Sequence, residues 1–231
     1  AVRTVRVEAV RSLATVPAET MNQQQRSLFL ETAAEYRAAQ MAIAERPEAH
    51  LNLGWFEATQ GNFSAAEQSY RRALSRDPTF LPAYVNLADL YRSQGREEEG
   101  EAQLREALRL NPEAAELHHS LGLLLIRRRQ PEAALAALGK AVELAPDDPR
   151  FGYVYGVALH DLGRTAASLE LLEEVHLAAP ANREVLVALA SFYREAGESG
   201  KALSYAEKLL ALDPENGDLQ QFVQQFSGAT G

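Results

Sequence analysis

Residues 81–114 read LPAYVNLADLYRSQGREEEGEAQLREALRLNPEA, and this stretch decides the fold. Ala83, Leu87, Leu90 and Tyr91 recur at spacings of three and four, which places them on one face of a helix. Ser93-Gln94-Gly95 breaks the pattern, because glycine can take the left-handed conformation that ends a helix. A second helix is expected over about 97–110, with Gly100, Leu104, Ala107 and Leu108 facing inward. Asn111-Pro112 closes it, since proline cannot continue a helix and pushes the preceding residue out of the α region. Neither helix can bury its stripe alone, so the pair needs neighbours of the same kind.

Those neighbours stand on both sides. Pro78, Pro112, Pro146, Pro180 and Pro214 are each 34 residues apart, which cuts five repeats at 47–80, 81–114, 115–148, 149–182 and 183–216. The eighth position of every repeat is small (Gly54, Ala88, Gly122, Gly156, Ala190), and so is the twentieth (Ala66, Gly100, Ala134, Ser168, Ala202), which lets paired helix axes approach closely. Leu53, Leu87, Leu121, Tyr155 and Leu189 form the layer at position seven. Position 27 holds Ala73, Ala107 and Ala141 and then widens to Val175 and Leu209, so looser packing is expected in the last two repeats. Gly61, Gly95, Gly163 and Gly197 mark four turns. The third repeat departs, with Arg127-Arg128-Arg129-Gln130-Pro131 in that place. The arginines fit a solvated turn at a helix C-terminus, where the dipole favours cations; contact with an acidic partner is the alternative.

A 34-residue helix–turn–helix period with these small positions resembles the tetratricopeptide repeat (TPR) family. The resemblance implies an all-α, right-handed superhelix of five repeats, flanked by N- and C-terminal capping helices. Residues 1–46 would hold two helices. The first, over 1–16, carries Val2, Val5, Ala9 and Leu13 with Arg3, Arg6 and Arg11 around them. It resembles the second helix of a HEAT repeat and reads equally as a plain capping helix. Pro17 ends it, and a helix from about 19 or 22 to 45 would dock on the first repeat. Residues 217–231 would hold a capping helix carrying Leu219, Phe222, Val223 and Phe226, then a frayed tail. Solenoids require such caps.

Composition sets bounds. The chain has 231 residues, 46% apolar and 24% charged, with a net charge of −9 and no cysteine. A general nucleic-acid binder would need a basic stripe, which that balance argues against. Disulfides, thiolate metal sites and covalent c-type haem are excluded from this sequence. No run approaches the ~20 apolar residues of a membrane span. No signal peptide is recognisable, and a chain beginning at Ala1 reads as a mature form or a piece of something longer. His50, His118, His119, His160 and His176 show no metal-ligand spacing, and no nucleophile-elbow or phosphate-loop pattern is present. Glu97-Glu98-Glu99 opens a helix, where negative charge is favoured. No catalytic residue, metal or cofactor is expected, and the chain is read as not an enzyme.

The resemblance implies that the first helix of each pair lines a concave groove, through positions 2, 5, 6, 9, 12 and 13. Carried over, these are Leu51, Asn52 and Trp55 in the first repeat, and Val85, Asn86, Asp89 and Arg92 in the second. The third gives His119, Ser120, Leu123, Ile126 and Arg127. The fourth gives Arg150, Tyr153, Val157, His160 and Asp161, and the fifth Val187, Ser191 and Arg194. A carboxylate clamp for chaperone tails would need Lys at position five and Asn at nine, and neither occurs. An asparagine ladder starts at Asn52 and Asn86 but stops at Ser120, Val154 and Ala188. What remains is an apolar, partly aromatic channel edged by arginines, expected to hold a peptide, helix or protein unless the chain's own N-terminal helix or neighbouring repeats cover it. No nucleic acid and no membrane insertion are expected, and homo-oligomerisation stays open.

The phrases RPEAHLNLG (46–54), PAYVNLADLYRSQGR (82–96) and YVYGVALHDLGR (153–164), preceded by VRVEAVRSL (5–13), also resemble the C-terminal TPR region of bacterial multihaem cytochrome c proteins. The motif CxxCH is absent. That resemblance implies a non-catalytic assembly or oligomerisation domain whose haem part lies elsewhere, and a periplasmic location; a cytoplasmic one is the alternative.

Overall fold

A computed structural model describes residues 10, 12–16 and 20–227, and every described element is helical. The chain divides into two compact units, 1–112 and 113–231. The first contains α1 (Gln23–Met41), α2 (Pro47–Thr59), α3 (Phe63–Arg76), α4 (Leu81–Ser93) and α5 (Glu97–Leu110). The second contains α6 (Ala115–Arg127), α7 (Pro131–Leu144), α8 (Pro149–Asp161), α9 (Thr165–Ala178), α10 (Arg183–Glu195), α11 (Ser199–Ala211) and α12 (Gly217–Ser227). From α2 to α11 the helices alternate as first and second members of pairs. First helices start at 47, 81, 115, 149 and 183, and second helices at 63, 97, 131, 165 and 199. The 34-residue interval of the prolines is thus the interval of the backbone.

Each pair closes by the same device. The residue two past the first helix's cap returns its N–H to a carbonyl five residues back, as in Asn62 to Glu57 (2.8 Å) and Glu198 to Tyr193 (2.8 Å). This bond needs a left-handed residue just before it. Glycine supplies it at Gly61, Gly95, Gly163 and Gly197, with φ of 71–80°. The third repeat makes the same turn without glycine: Gln130 bonds to Leu125 (2.9 Å) and Arg129 takes φ 56°.

Within a pair, position eight meets position 24. A Cβ on Gly54 would lie 2.3 Å from the Tyr70 ring, on Gly122 2.6 Å from Leu138, and on Gly156 2.7 Å from Leu172. In the fifth repeat both partners are small, Ala190 and Ala206, and both are fully buried. Position 20 also reaches position eight: Ser168 Oγ donates to the Gly156 carbonyl at 2.6 Å. The wider position 27 does not loosen the fourth repeat. Val175 is buried because position four is Gly152, whose absent Cβ would sit 2.4 Å from Val175 Cγ2. Leu209, in the fifth, is likewise buried.

Helix α1 is shorter than the sequence indicated. It begins at Gln23 behind a capping box, in which Asn22 and Gln25 exchange 2.9 Å bonds, and gives way to turns over 42–46. It docks on the first pair through Phe29, Ala33 and Tyr36, which cluster with Phe56, Val10 and Ala14. Arg37 grips the buried Glu57 carboxylate from Nε at 2.6 Å. The expected stripe Val2, Val5 and Ala9, with Pro17, lies outside the described residues, as does the tail from 228. At the other end, Phe226 of α12 is buried among Leu169, Leu189 and Ala202, with Phe222 and Val223 packed alongside.

Candidate partner-binding surface

In the first unit α2 and α4 lie against each other, as first helices of successive pairs. Their facing residues enclose a cleft of about 300 Å³, lined by Trp55, Asn86 and Asp89 with Thr59, Phe63, Tyr70, Leu90 and Ser93. Three of the expected groove residues thus meet there. Arg92 is beside them, its Nε 3.2 Å from Asp89 Oδ1 and both side chains well exposed. Val85 is half-buried. Trp55 does not face the groove alone, as the sequence suggested. It also packs against the Phe29–Tyr36–Phe56 cluster, so the N-terminal helix holds one side of the indole. Asn52 is turned toward that helix too, its Nδ2 3.2 Å from Gln40 Oε1.

The floor of the cleft was not legible in the first helices. Tyr70 comes from α3, and it reaches the cleft because Gly54 leaves room for its ring. Burial pushes the Tyr70 phenol well above its ordinary range, with the Asp89 charge adding to the shift and the Asn86 side chain opposing it. The hydroxyl is therefore a neutral hydrogen-bonding group throughout the working pH range. Phe63, the first residue of α3, stays exposed at the rim. The pairing of position eight with position 24 was the available signal for Tyr70; nothing pointed to Phe63.

In the second unit the expected residues do not share one pocket. The His119 ring lies 4.8 Å from Phe151, its Nδ1 buried without a hydrogen-bond partner among the described residues; burial holds it below the usual imidazole range. His160 stacks parallel on Phe192 at 3.6 Å, with Nε2 3.2 Å from Glu195. Tyr153 packs against the fifth repeat's core cluster, while Leu123 and Val157 are half-buried. Ile126 and Arg127 are exposed, and Ile126 borders a separate hollow beside the α6–α7 turn. Arg194 turns to the C-terminal helix, its guanidinium 5.0 Å from the Phe226 ring. That contact removes it from the expected row of arginines, because a cation over a buried ring is held by the ring's quadrupole.

No group of three or more metal-ligating side chains occurs among the described residues. No described helix is long and apolar enough to cross a membrane.

A family model described as tetratricopeptide repeat matches residues 44–214. The chain belongs to the tetratricopeptide repeat family. A search of the curated proteins finds no significant match. Among solved structures, the TPR chain resembles PilW, described as a widely conserved type IV pilus biogenesis factor. That match has a TM-score of 0.68 at 16% identity and covers 96% of this chain and 98% of that one. Yeast Tom70 gives 0.75 at 18% identity, with 96% of this chain and 46% of the other covered. YrrB, titled a TPR protein with an unusual peptide-binding site, gives 0.59 at 23%, with 81% and 96% covered. Identities this low carry the TPR fold alone. They do not carry the resemblance to multihaem cytochromes.

Proposed function

We propose that this TPR chain is a non-catalytic scaffold that binds a peptide, helix or protein against its first helices, centred on the Trp55 cleft. TPR proteins as a family are interaction scaffolds, and YrrB carries a peptide-binding site by its title. The observation that supports the reading here is the cleft itself. It joins an aromatic wall (Trp55, Phe63, Tyr70) to hydrogen-bonding groups (Asn86, Asp89) contributed by two successive repeats. Large amphipathic side chains around a concave apolar site supply most of the binding energy in such interfaces. Asp89, already paired with Arg92, adds acceptor oxygens that favour an amide-bearing ligand.

Peptides selected from a random display library on the purified chain test this. Selected peptides should shift the emission of Trp55, the only tryptophan, to the blue. Asp89→Lys should weaken them about tenfold, the scale of a lost hot-spot contact. Peptides that bind tightly yet leave Trp55 emission and the Asp89 variant unaffected would refute the cleft as the site.

For the second reading, an assembly or oligomerisation domain of a periplasmic multihaem redox protein, one observation bears on the oligomerisation part alone. Val10, Leu13, Val16, Met21, Leu28 and Phe29 line an apolar hollow of about 560 Å³ beside α1. Light scattering across a concentration series tests it: a strictly monomeric chain at all concentrations, unchanged by Leu28→Glu, would remove the oligomerisation reading.

A further inference from the structure

In the first unit the Arg71 guanidinium donates to the Tyr91 hydroxyl at 2.9 Å, and in the second unit the Tyr193 hydroxyl donates to Glu173. Both contacts join position 25 of a second helix to position 11 of the first helix that follows. One repeat before Arg71 stands Arg37 of α1, and one repeat before Tyr91 stands Glu57 of α2. The contact of α1 with α2 is therefore a repeat-to-repeat contact in register, with an ion pair in place of a tyrosine. Position 11 is Glu57, Tyr91, Leu125, Leu159 and Tyr193 in the five repeats, so only the first, where α1 docks, carries a carboxylate there.

The same carboxylate has a further partner. Arg37 holds it from Nε at 2.6 Å and from Nη2 at 3.2 Å, and Asn62 Nδ2 donates to Glu57 Oε2 at 2.8 Å. Asn62 is the N-cap residue of α3, a position where an asparagine side chain ordinarily bonds to its own helix. It makes no such bond and turns back to Glu57 instead. Phe63, the next residue, opens α3 and stands at the rim of the Trp55 cleft. Trp55 itself packs against the cluster that contains Phe29 and Tyr36 of α1. Tyr36 also donates to the Asn52 carbonyl at 3.4 Å, and its ring lies 5.2 Å from Phe56. Two of the three aromatic residues of the cleft are thus placed from α1, one through polar bonds and one through apolar packing.

Taking the Trp55 cleft as the binding site, as proposed above, we infer that Arg37 is a positioning residue for it, and that α1 docking and peptide capture form one coupled equilibrium. With α1 docked, Glu57 draws Asn62 back and fixes the direction in which α3 starts, which sets Phe63 at the rim. Undocking α1 leaves the buried Glu57 carboxylate without its cation, a costly state that the turn relieves by rearranging. Phe63 then loses its placement, and the indole loses the wall behind it. Coupling of this kind is reciprocal: a peptide that binds the docked form better holds α1 in place by the same factor.

The experiment uses the full chain, first without ligand and then with a display-selected peptide that shifts Trp55 emission. In chains with isotope-labelled aromatic rings, Arg37→Ala should move the Trp55 and Phe63 resonances and leave those of Phe151, in the second unit, unchanged. Asn62→Ala cuts only the polar path and should move Phe63 alone. Arg37→Ala should weaken the peptide about tenfold, and Asn62→Ala about threefold. In a Phe63→Ala background the Asn62→Ala effect should vanish, which a general loss of stability would not produce. Saturating peptide should slow amide exchange across α1 of the native chain about tenfold and leave α12 unchanged. Unmoved ring resonances in Arg37→Ala, equal peptide affinity of that variant and the native chain, or α1 exchange indifferent to peptide would each overturn the coupling and leave the cleft as the site. Peptides that leave Trp55 emission of the native chain unaffected would overturn the cleft as the site, and the coupling with it.

Discussion

Replacing Gly122 by alanine and Leu138 by alanine, singly and together, tests the packing rule on which the repeats are built. An alanine Cβ at position 122 would lie 2.6 Å from both Leu138 Cγ and Cδ2, and 3.3 Å from the Leu138 backbone nitrogen. Leu138 is fully buried. Helix propensity favours the alanine by about 1 kcal/mol, while overpacking costs about 1–3 kcal/mol. Gly122→Ala should therefore destabilise by about 0–2 kcal/mol, toward the lower end because the second repeat accommodates Ala88 with Leu104. Leu138→Ala alone opens a cavity and should cost about 2–5 kcal/mol. The double variant recreates the Ala190–Ala206 pairing of the fifth repeat. Its loss should fall short of the sum by about 1–2 kcal/mol, and the helix-propensity terms cancel from that difference. Urea unfolding of the four chains, followed by helical circular dichroism, gives the cycle. Additivity within about 0.5 kcal/mol would mean that positions eight and 24 do not touch, and the repeat register would fail with them.

Three further outcomes follow from single contacts. Burial depresses His50, His119 and His176 below the ordinary 6.5, with nearby cations adding at His50 and His176. Each is neutral when folded and protonates more readily when unfolded. The stability they contribute is therefore complete above about pH 6.5 and falls as pH drops through the native values; a Tm flat from about pH 7 to pH 5 would contradict this. Burial alone would raise the Glu57 carboxyl, but hydrogen bonds from Arg37 and Asn62 outweigh it and hold the group below 4.5. Arg37→Ala should cost about 1–3 kcal/mol, loosen α1 and flatten the acid limb of the stability curve below about pH 4.5, measured by thermal melts across pH. An unchanged melt would show that α1 docks without this ion pair. Arg129→Gly relieves a left-handed L-residue but loses a cation at a helix C-terminus, so its net effect should lie between about 0 and 1 kcal/mol of stabilisation. A clear loss of Tm would mean that the side chain holds the turn together.

The sequence determined the repeat by itself. Prolines at a fixed interval, glycines at the turns and small residues at positions eight and 20 act over a few residues or within one helix pair, so their spacing carries the information. The starts of α2 to α11 obey that spacing without exception. The capping role of 219–226 was equally readable, since an amphipathic stripe past the last proline has only one core to cover. The binding surface was not determined in the same way. Listing positions 2, 5, 6, 9, 12 and 13 found Trp55, Asn86 and Asp89, but Tyr70 and Phe63 come from a second helix and belong to the cleft only because Gly54 lets the pair close. Arg194 and Tyr153 satisfied the same positional rule, yet one is held over Phe226 and the other against the fifth repeat's core. Local periodicity fixes which residues share a face; what each face meets depends on side-chain volumes contributed by residues 16 to 34 positions away.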